Sequence, residues 1–472
     1  MAQNTRNLIG LTGIPLIMVL GNSMLIPVLP TMKAKLDLTS LQTSFLITAF
    51  SISAGIVIPL AGYLSDRFGR KIVILIALAL YGLGGLLAGL AALWWDKPYM
   101  VIMLGRVLQG IGAAGTAPIA MALAGDLFKG ASESRALGLM ETSNGLGKVL
   151  SPIFGSLLAM IAWYMVFLAF PIICGLILLL FLFFTKEKKQ EKKPMPVRQY
   201  LQSIGQVFRT HGRWLVPAFF IGSICLFTLF GVLFYLSDLL EEKYKIDGLL
   251  KGAFLAVPLL VMSITAYVTG LIIKKKLNLM RLFVIIGMFL LATSYVIANF
   301  VKGAYVLTGV LIIGSVGTGM ILPCLNSMII GAVAKSERGM ITSLYSGVRF
   351  IGVAIGPPVF TWLLDLSRTV MFLSIAGLAA LFGVVAIFFL KPKQQAGESA
   401  GAAKQSSESA EEEDEKAKEM EAMRQIAEVM GIIEESEEDK RRLHAIRKYG
   451  FDPNDLVKRL LGGKGSREKE KS

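Results

Sequence analysis

The chain has 472 residues, of which 54% are hydrophobic and only 17% carry a charge. This composition is too apolar for a soluble globular protein of such length, and it indicates a membrane protein. The formal net charge is +15, but residues 1–390 carry +17 and residues 391–472 carry −2. We therefore expect the positive charge to face the anionic lipids of an inner leaflet, and we predict no nucleic-acid partner.

Transmembrane helices are predicted wherever about 18 or more predominantly apolar residues follow one another, because this length crosses a hydrocarbon core of roughly 30 Å. Twelve such stretches occur, at 8–30, 41–64, 72–94, 99–124, 136–160, 161–184, 214–239, 250–273, 281–301, 304–326, 340–364 and 368–390. They predict an all-α membrane protein with twelve spans. The first residues lead directly into the first span, so we expect no cleaved signal peptide.

The stretch at 185–213 separates two blocks of six spans and is rich in Lys and Arg. It predicts an amino-terminal six-helix half at 1–184, a central linker at 185–213 and a second six-helix half at 214–390. Most basic residues of the loops fall on the side where the chain begins. Because Lys and Arg are retained in the cytoplasm, we predict a multi-pass protein of the cytoplasmic membrane with both termini inside the cell.

The two blocks show a weak internal repeat, as transporters built from two halves do. ASESR at 131–135 precedes the fifth span, and AKSER at 334–338 precedes the eleventh. Each of these spans then carries small residues and proline at corresponding positions, which are Gly147, Ser151, Pro152, Gly155, Gly352, Gly356 and Pro357. Small residues at four-residue spacing allow another helix to approach closely.

The composition changes after the twelfth span to a segment of small polar and then acidic residues. Residues 391–410 are predicted to be a flexible linker, because they cannot bury a core. Residues 411–472 are predicted to be a cytoplasmic tail with short amphipathic helices within 411–461. Two interpretations stay open, a solvated tail and a module that docks a cytoplasmic partner.

The loop between the second and third spans reads GYLSDRFGRK, residues 62–71. Gly62 permits close helix approach, and the carboxylate of Asp66 can face the positive end of a neighbouring helix. The other charged residues of the loop, together with its second glycine, are Arg67, Gly69, Arg70 and Lys71. Such a cluster can hold one conformation of a transporter.

This string resembles the motif G-x-L-x-D-R-x-G-R-K of the major facilitator superfamily. LGNSMLIPVLP at 20–30, LGRVLQGIGAAG at 104–115 and the pattern G-x-x-x-[GS]-P-x-x-G in the fifth span resemble motifs of its twelve-helix drug/proton antiporters, the multidrug efflux type. The resemblance covers residues 8–390. It implies the major facilitator fold, with two pseudo-symmetric six-helix halves.

The resemblance also implies roles for particular residues. The 62–71 string would form a cytoplasmic gate that Asp126 joins, Arg106 would take part in proton coupling, and the small-residue stripe from Gly147 would form a pivot between the halves. Many members of the family have a carboxylate in the first helix. Here Asn22 and Ser23 stand there instead.

Four charged residues lie well inside predicted spans, away from their ends, namely Arg106, Glu141, Lys148 and Arg349. Each costs about 2.5–3.5 kcal/mol at the bilayer centre, which makes each a candidate for function. Glu141 and Lys148 are seven residues apart and share a helix face, with about 10 Å between them along the axis. We expect Glu141 to be buried and to carry protons. The alternative is a permanent structural pair, and Lys148 and Arg349 have the same two interpretations.

The sequence predicts a proton-coupled efflux antiporter that exports small amphipathic molecules of uncertain charge by alternating access. Its only cofactor would be the proton gradient, and no metal site or enzymatic activity is expected. The cavity candidates are Asn22, Glu141, Lys148, Tyr235, Tyr345 and Arg349. Alternatives are an exporter or flippase of a specific anionic metabolite, siderophore or lipid, an uptake symporter, and a membrane scaffold or sensor that acts through residues 391–472.

Overall fold

The computed structural model describes residues 2–129, 131–185, 187, 196–273, 276–333 and 337–391, within one compact unit that extends to Gln394. The helices are α1 (Ala2–Ser23), α2 (Leu29–Lys35), α3 (Ser40–Phe68), α4 (Arg70–Trp94), α5 (Tyr99–Ala114), α6 (Ala117–Leu127), α7 (Ala131–Ile161), α8 (Met165–Phe184), α9 (Val197–Glu242), α10 (Gly248–Ile273), α11 (Leu277–Phe300), α12 (Ala304–Gly331), α13 (Arg338–Leu366) and α14 (Arg368–Phe389). The predicted linker and tail at 391–472 lie outside the described residues, apart from Lys391.

Twelve segments of this described chain are long and apolar enough to cross a membrane. Helices α1 and α2 together form the first, α5 and α6 the fourth, and each other helix forms one. The described ranges contain no strand. The predicted all-α fold with twelve transmembrane helices is therefore confirmed.

Two spans that the sequence predicts as continuous are broken in the structure. A 3-10 turn at Ile26–Val28 separates α1 from α2, and α5 ends before Thr116. Pro27 lies within the first break and Pro30 follows it, while Pro118 follows the second. Since proline has no backbone N–H to donate and its ring clashes with the preceding turn, each break occurs where proline interrupts the helical hydrogen bonds.

Helix α9 has 46 residues and begins at Val197, inside the segment that the sequence predicts as a linker. At about 1.5 Å per residue it is roughly 69 Å long, more than twice the thickness of a hydrocarbon core. The rings of Phe208 and Phe219 are 5.7 Å apart, although eleven residues of straight helix span about 16 Å. The helix is therefore bent between these two residues.

The first block of spans, α1–α8, meets the second block, α9–α14, along two helix pairs, α3 with α13 and α7 with α10. Helices α3 and α13 approach closely at two glycines, since a Cβ on Gly55 would lie 2.9 Å from the carbonyl oxygen of Gly347. Thr48 Oγ1 donates to the carbonyl of Ala354 at 2.6 Å in the same interface. We call the two ends of the bundle the N-terminal face, where α1 begins, and the opposite face.

Candidate substrate and coupling sites

The predicted gate residues lie together where α3 ends and α4 begins. Arg70 Nη1 is 2.5 Å from a carboxylate oxygen of Asp126 on α6, and Arg70 Nη2 is 3.6 Å from a carboxylate oxygen of Asp66. A Cβ on Gly62 would lie 2.7 Å from Ser343 Oγ of α13, in the second block. Arg67 is exposed. The arrangement joins Asp126 to the 62–71 loop, as the resemblance implies.

Glu187, which the sequence reading missed, closes this cluster from the start of the central linker. Its carboxylate accepts the backbone N–H groups of Arg70 at 2.9 Å and Lys71 at 3.0 Å, the first two residues of α4. Gly69 reaches the left-handed φ of +99° there, which glycine tolerates. Lys71 Nζ donates to the carbonyl of Thr185 at 2.5 Å. Glu187 thus caps α4 and ties the linker to the loop.

Arg106 is fully buried and makes four hydrogen bonds. Its Nη2 donates to Asn22 Oδ1 at 2.5 Å, its Nη1 to Gln109 Oε1 at 2.8 Å and to the carbonyl of Gly21 at 2.9 Å, and its Nε to the carbonyl of Leu46 at 3.0 Å. All four acceptors are neutral oxygens. Arg106 thereby joins α5 to α1 and α3.

The surroundings of Arg106 complete this network. Asn22 Nδ2 donates to Ser51 Oγ at 2.7 Å, and the guanidinium lies 4.5 Å from the ring centre of Phe50. In the described chain, no carboxylate is among its hydrogen-bond partners. A role for Arg106 in proton coupling stays a prediction, because its contacts here are those of a structural cation.

The small-residue stripe of α7 packs within its own block, which differs from the sequence expectation of a pivot between the halves. A Cβ on Gly147 would lie 3.4 Å from the backbone of Leu16 of α1, and a Cβ on Gly155 would collide with the carbonyl of Met24. Ser151 Oγ donates to the carbonyl of Gly147. The stripe therefore lies where α1 packs against α7, and at Gly155 only glycine leaves room for the backbone of Met24.

The contact of α7 with the second block lies beside this stripe. A Cβ on Gly252 of α10 would lie 2.8 Å from the carbonyl oxygen of Pro152. The corresponding residues of α13 also pack inside their own block, since Gly352 lies against the carbonyl of Ser223 and Gly356 against that of Phe227. Pro357 is buried in the next position.

The charged face of α7 points away from the lipid. At about 100° per residue, the exposed apolar residues Leu146, Leu150 and Leu157 fall within about 20° of Leu139 and mark the lipid side. Glu141 and Lys148 lie roughly 160° and 180° from Leu139. Glu141 is exposed and Lys148 is half-buried. The exposed side of Glu141 therefore faces the space between the blocks, and the expectation that Glu141 is buried is wrong.

Arg349 takes the matching position on α13. Ile351, Ile355 and Trp362 are exposed on one side of this helix, and Arg349 lies roughly 160° from Ile351. The guanidinium stacks over the ring of Tyr345, 4.7 Å from its centre. Nε of Arg349 and the hydroxyl of Tyr345 are both buried without a hydrogen-bond partner in the described part of the chain.

These charges come together across the two blocks. Lys148 interacts electrostatically with both Glu141 and Arg349, and no ion pair within 4 Å joins the three among the described residues. We call Glu141, Lys148, Tyr345 and Arg349 the central cluster. Two other cavity candidates lie elsewhere, because Asn22 belongs to the Arg106 network and Tyr235 packs edge-on against Phe372 at 5.5 Å.

A second set of charges, which the sequence reading missed, joins the blocks at the opposite face. Lys33 of α2 lies 2.7 Å from a carboxylate oxygen of Glu242 and 3.8 Å from one of Asp238, both on α9. Lys251 of α10 pairs with Glu241. We call these five residues the opposite-face cluster. The sequence signal for this cluster was the three acidic residues close to the end of a predicted span. Their basic partners come from other helices, so the sequence does not show the pairing.

The described residues contain no group of three His, Cys, Asp or Glu side chains placed to hold a metal ion. Cys174, Cys225 and Cys324 are buried and free. The three cysteine side chains are thus part of the packed interior.

Comparison with protein families matches the chain to the Major Facilitator Superfamily over residues 11–329 and again over 280–428. The bacillibactin exporter of Bacillus subtilis is 46% identical over 387 residues, which is 82% of this chain and 95% of that protein. The class C tetracycline resistance protein of Escherichia coli is 27% identical, over 76% of this chain and 90% of that one. Multidrug resistance protein 1 of Bacillus subtilis is 26% identical, over 74% and 87%.

Solved structures share the fold at low sequence identity. A bacterial homologue of the human lysosomal transporter Spinster, in an inward-facing and unoccupied conformation, superimposes with a TM-score of 0.69 at 16% identity, over 84% of this chain and 99% of that one. The human organic anion transporter MFSD10 superimposes with a TM-score of 0.62 at 18% identity, over 81% and 99%.

Proposed function

The chain belongs to the major facilitator superfamily, and from this premise we propose that it exports an anionic siderophore, of the bacillibactin kind, across the cytoplasmic membrane by alternating access. The observation that supports this most strongly is the pair Lys148 and Arg349. These cations come from different blocks, face the space between them and form no ion pair in the described chain. A ligand with two or more negative oxygens would satisfy both.

Similarity favours the same substrate class. The relative named as a bacillibactin exporter is 46% identical, whereas the relatives named for tetracycline and multidrug resistance are 24–27% identical. Export of small amphipathic drugs is the second candidate, and these more distant relatives favour it. The central cluster has two cations and one carboxylate, so its net positive charge would repel a cationic drug. An anionic substrate is therefore the first candidate.

The energy source in this proposal is the proton gradient, with Glu141 as the proton carrier. Its carboxylate is exposed to the space between the blocks, where protons and a substrate could both reach it. Lys148 is close enough that the charge of one group alters the other. In the proposed cycle the proton and the substrate occupy this space in turn, each bound from one side of the membrane and released to the other.

The direct test uses inverted membrane vesicles that contain the full chain, with an acidic lumen imposed. Iron-free bacillibactin, tetracycline and ethidium are offered outside, and their uptake is measured. We expect uptake of bacillibactin, a loss in Lys148→Met and Arg349→Met, and normal uptake in Lys35→Met, which removes an exposed cation. Uptake of ethidium and tetracycline without bacillibactin would overturn the proposed substrate in favour of drug export.

Proton coupling is tested separately with Glu141→Gln and with Asp247→Asn, an exposed carboxylate, as its control. We expect Glu141→Gln to lose the acceleration by the acidic lumen but to keep exchange of bacillibactin at equal pH. If the gradient accelerates Glu141→Gln as much as the unchanged protein, Glu141 is not the proton carrier.

A further inference from the structure

A cavity of about 220 Å³ lies at the opposite face, within the second block. It is placed where α9 and α13 end and where α12 and α14 begin. Its charged and aromatic lining residues are Tyr235, Asp238, Glu242, Lys243, Tyr244 and Arg368. Because the whole lining belongs to the second block, a rigid-body movement of one block against the other leaves the cavity intact.

Two cations line this cavity without an ion-pair partner. Neither Lys243 nor Arg368 lies within 4 Å of a carboxylate oxygen in the described chain. The guanidinium of Arg368 is nevertheless fixed, because its Nη2 donates to the carbonyls of Ala298 at 2.8 Å and Val301 at 2.5 Å. Its Nε is buried without a hydrogen-bond partner among the described residues. Arg368 is thus a positioned cation that can still donate a hydrogen bond.

The carboxylates that line the cavity do not neutralise these two cations. Asp238 and Glu242 share Lys33, whose Nζ is 3.8 Å from the first carboxylate and 2.7 Å from the second. The cavity and Lys33 together hold three positive and two negative charges, which is a net charge of +1. An anion stabilises unpaired positive charge that is partly removed from water. The charge balance therefore favours an anionic ligand over a cationic one.

Two tyrosine rings that line the cavity are held in place by other residues. The ring of Tyr235 packs edge-on against Phe372, with 5.5 Å between the ring centres. The hydroxyl of Tyr244 accepts the backbone N–H of Gly303 at 2.9 Å, and Lys243 Nζ lies 5.8 Å from the centre of the Tyr244 ring. Rings that are already fixed lose little freedom when a ligand binds, and they favour contact with another aromatic ring.

The volume of the cavity limits the size of this ligand. Sites for drug-sized ligands have about 300–1,000 Å³. A cavity of about 220 Å³ holds roughly seven waters at about 30 Å³ each. This space suits one aromatic ring with its substituents, and it is too small for a whole drug-sized molecule.

We propose that this cavity binds a single aromatic ring that carries a negatively charged group. The anionic group contacts Lys243 and Arg368, and the ring lies against Tyr235 and Tyr244. If the exported anion carries such a ring, which rests on the proposed function, the cavity is a second substrate site on the exit side. The binding site itself does not depend on transport.

The test measures binding of 4-fluorobenzoate by fluorine NMR at about pH 8, where a carboxyl group is ionised. The full chain is reconstituted in lipid nanodiscs with Lys148→Met and Arg349→Met, which remove the cations of the central cluster. Binding by this double variant therefore reports another site. A spin label at the exposed Lys302→Cys, next to Gly303, locates the bound probe, because a nearby unpaired electron broadens its signal. The native cysteines are buried, and a label at the exposed Arg209→Cys at the N-terminal face is the control.

We expect the double variant to bind the probe, and the label next to the cavity to broaden the signal more than the label at the N-terminal face. Adding Lys243→Met should raise the Kd about three- to tenfold, because a charge-assisted contact is lost. Lys97→Met, which removes an exposed cation at the same face, should leave the Kd unchanged. Arg368 is not substituted, because it also bonds the end of α11.

Two other probes test the chemistry of the ligand. Benzylamine has the ring with a positive charge, and acetate has the negative charge without the ring. Each should bind at least about tenfold more weakly than 4-fluorobenzoate, since each lacks one of the two features that the cavity recognises.

Four results would overturn the inference. They are no binding of 4-fluorobenzoate by the double variant, equal broadening from the two labels, an unchanged Kd in Lys243→Met, and binding of benzylamine or acetate as tight as that of the probe. A failure of the vesicles to take up bacillibactin would instead refute the proposed function, and it would leave these binding results unaffected.

Discussion

The central cluster and the opposite-face cluster both lie between the blocks, but they hold their charges in different ways. Lys148 interacts electrostatically with Glu141 and with Arg349, and neither cation forms an ion pair within 4 Å in the described chain. Lys33 and Lys251 each contact a carboxylate directly. Lys148 and Arg349 lie on the sides of α7 and α13 opposite their exposed apolar residues.

This difference suits the central cluster to binding a substrate and the opposite-face cluster to stabilising a closed arrangement. A charge within a membrane protein that lacks a protein partner is costly unless water or a ligand solvates it. The central cluster therefore needs an anion or water, and it is suited to a substrate that comes and goes. The opposite-face cluster is satisfied internally, so it stabilises a closed arrangement and must be broken before the blocks separate.

The largest expected effect is the loss of stability on replacing Arg106, because its guanidinium has more hydrogen-bond partners than any cation of the two clusters. Arg106→Met would remove the guanidinium's hydrogen bonds to Asn22, to Gln109 and to the carbonyls of Gly21 and Leu46, at a cost of about 3 kcal/mol of stability. Thermal unfolding of the purified protein measures this, with the exposed Arg213→Met as its control. A loss below about 1 kcal/mol would mean that water replaces the guanidinium.

Substitutions in the central cluster should affect transport strongly and stability little. Lys148→Met should lower the transport efficiency for an anionic substrate about 10- to 50-fold, because a charge-assisted hydrogen bond is lost. Its melting temperature should stay equal or rise, since no described ion pair is broken. Vesicle transport and thermal unfolding of the same preparations check both parts. A large loss of stability would instead assign Lys148 to structural pairing.

The opposite-face cluster gives a smaller effect on stability. Lys251 is 2% exposed, and Lys251→Met would leave Glu241 without its ion-pair partner while the apolar stem is kept. We expect a loss of about 1–2 kcal/mol in thermal unfolding, and less than about a threefold change in substrate affinity. An affinity change as large as that of Lys148→Met would remove the distinction between the two clusters.

The smallest effect is expected at Tyr345. Its buried hydroxyl has no hydrogen-bond partner in the described residues, so Tyr345→Phe should change stability by less than about 0.5 kcal/mol. Tyr345→Leu removes the ring beneath Arg349 and should lower substrate affinity about threefold. Equal affinities in the Phe and Leu variants would exclude a role for the ring.

Much of the fold could be predicted from the sequence, because membrane spans depend on local apolar length alone. All twelve helices occur where long apolar runs predict them. The breaks at Ile26–Val28 and before Thr116 were missed because apolar content does not report the backbone hydrogen bonds that proline removes. The start of α9 at Val197 was missed because a polar helix outside the bilayer has no apolar length to detect.

The candidate sites were predictable where one helix carries the information. Glu141 and Lys148 share a face of α7, so their spacing predicts their proximity. The pairing of Lys33 with Glu242 depends on how two distant helices meet, and no local pattern encodes it. The packing of Gly147 and Gly155 against α1 is of the same kind, since a small-residue stripe predicts a close neighbour without naming it.

The central claim is that the two unpaired cations of the central cluster select an anionic substrate. The most direct measurement is the ratio of bacillibactin to ethidium uptake by inverted vesicles, for the unchanged chain and for Lys148→Glu with Arg349→Gln. We expect the substitutions to lower this ratio at least about 100-fold and to allow ethidium to enter. A ratio unchanged by the substitutions would show that Lys148 and Arg349 do not select the substrate.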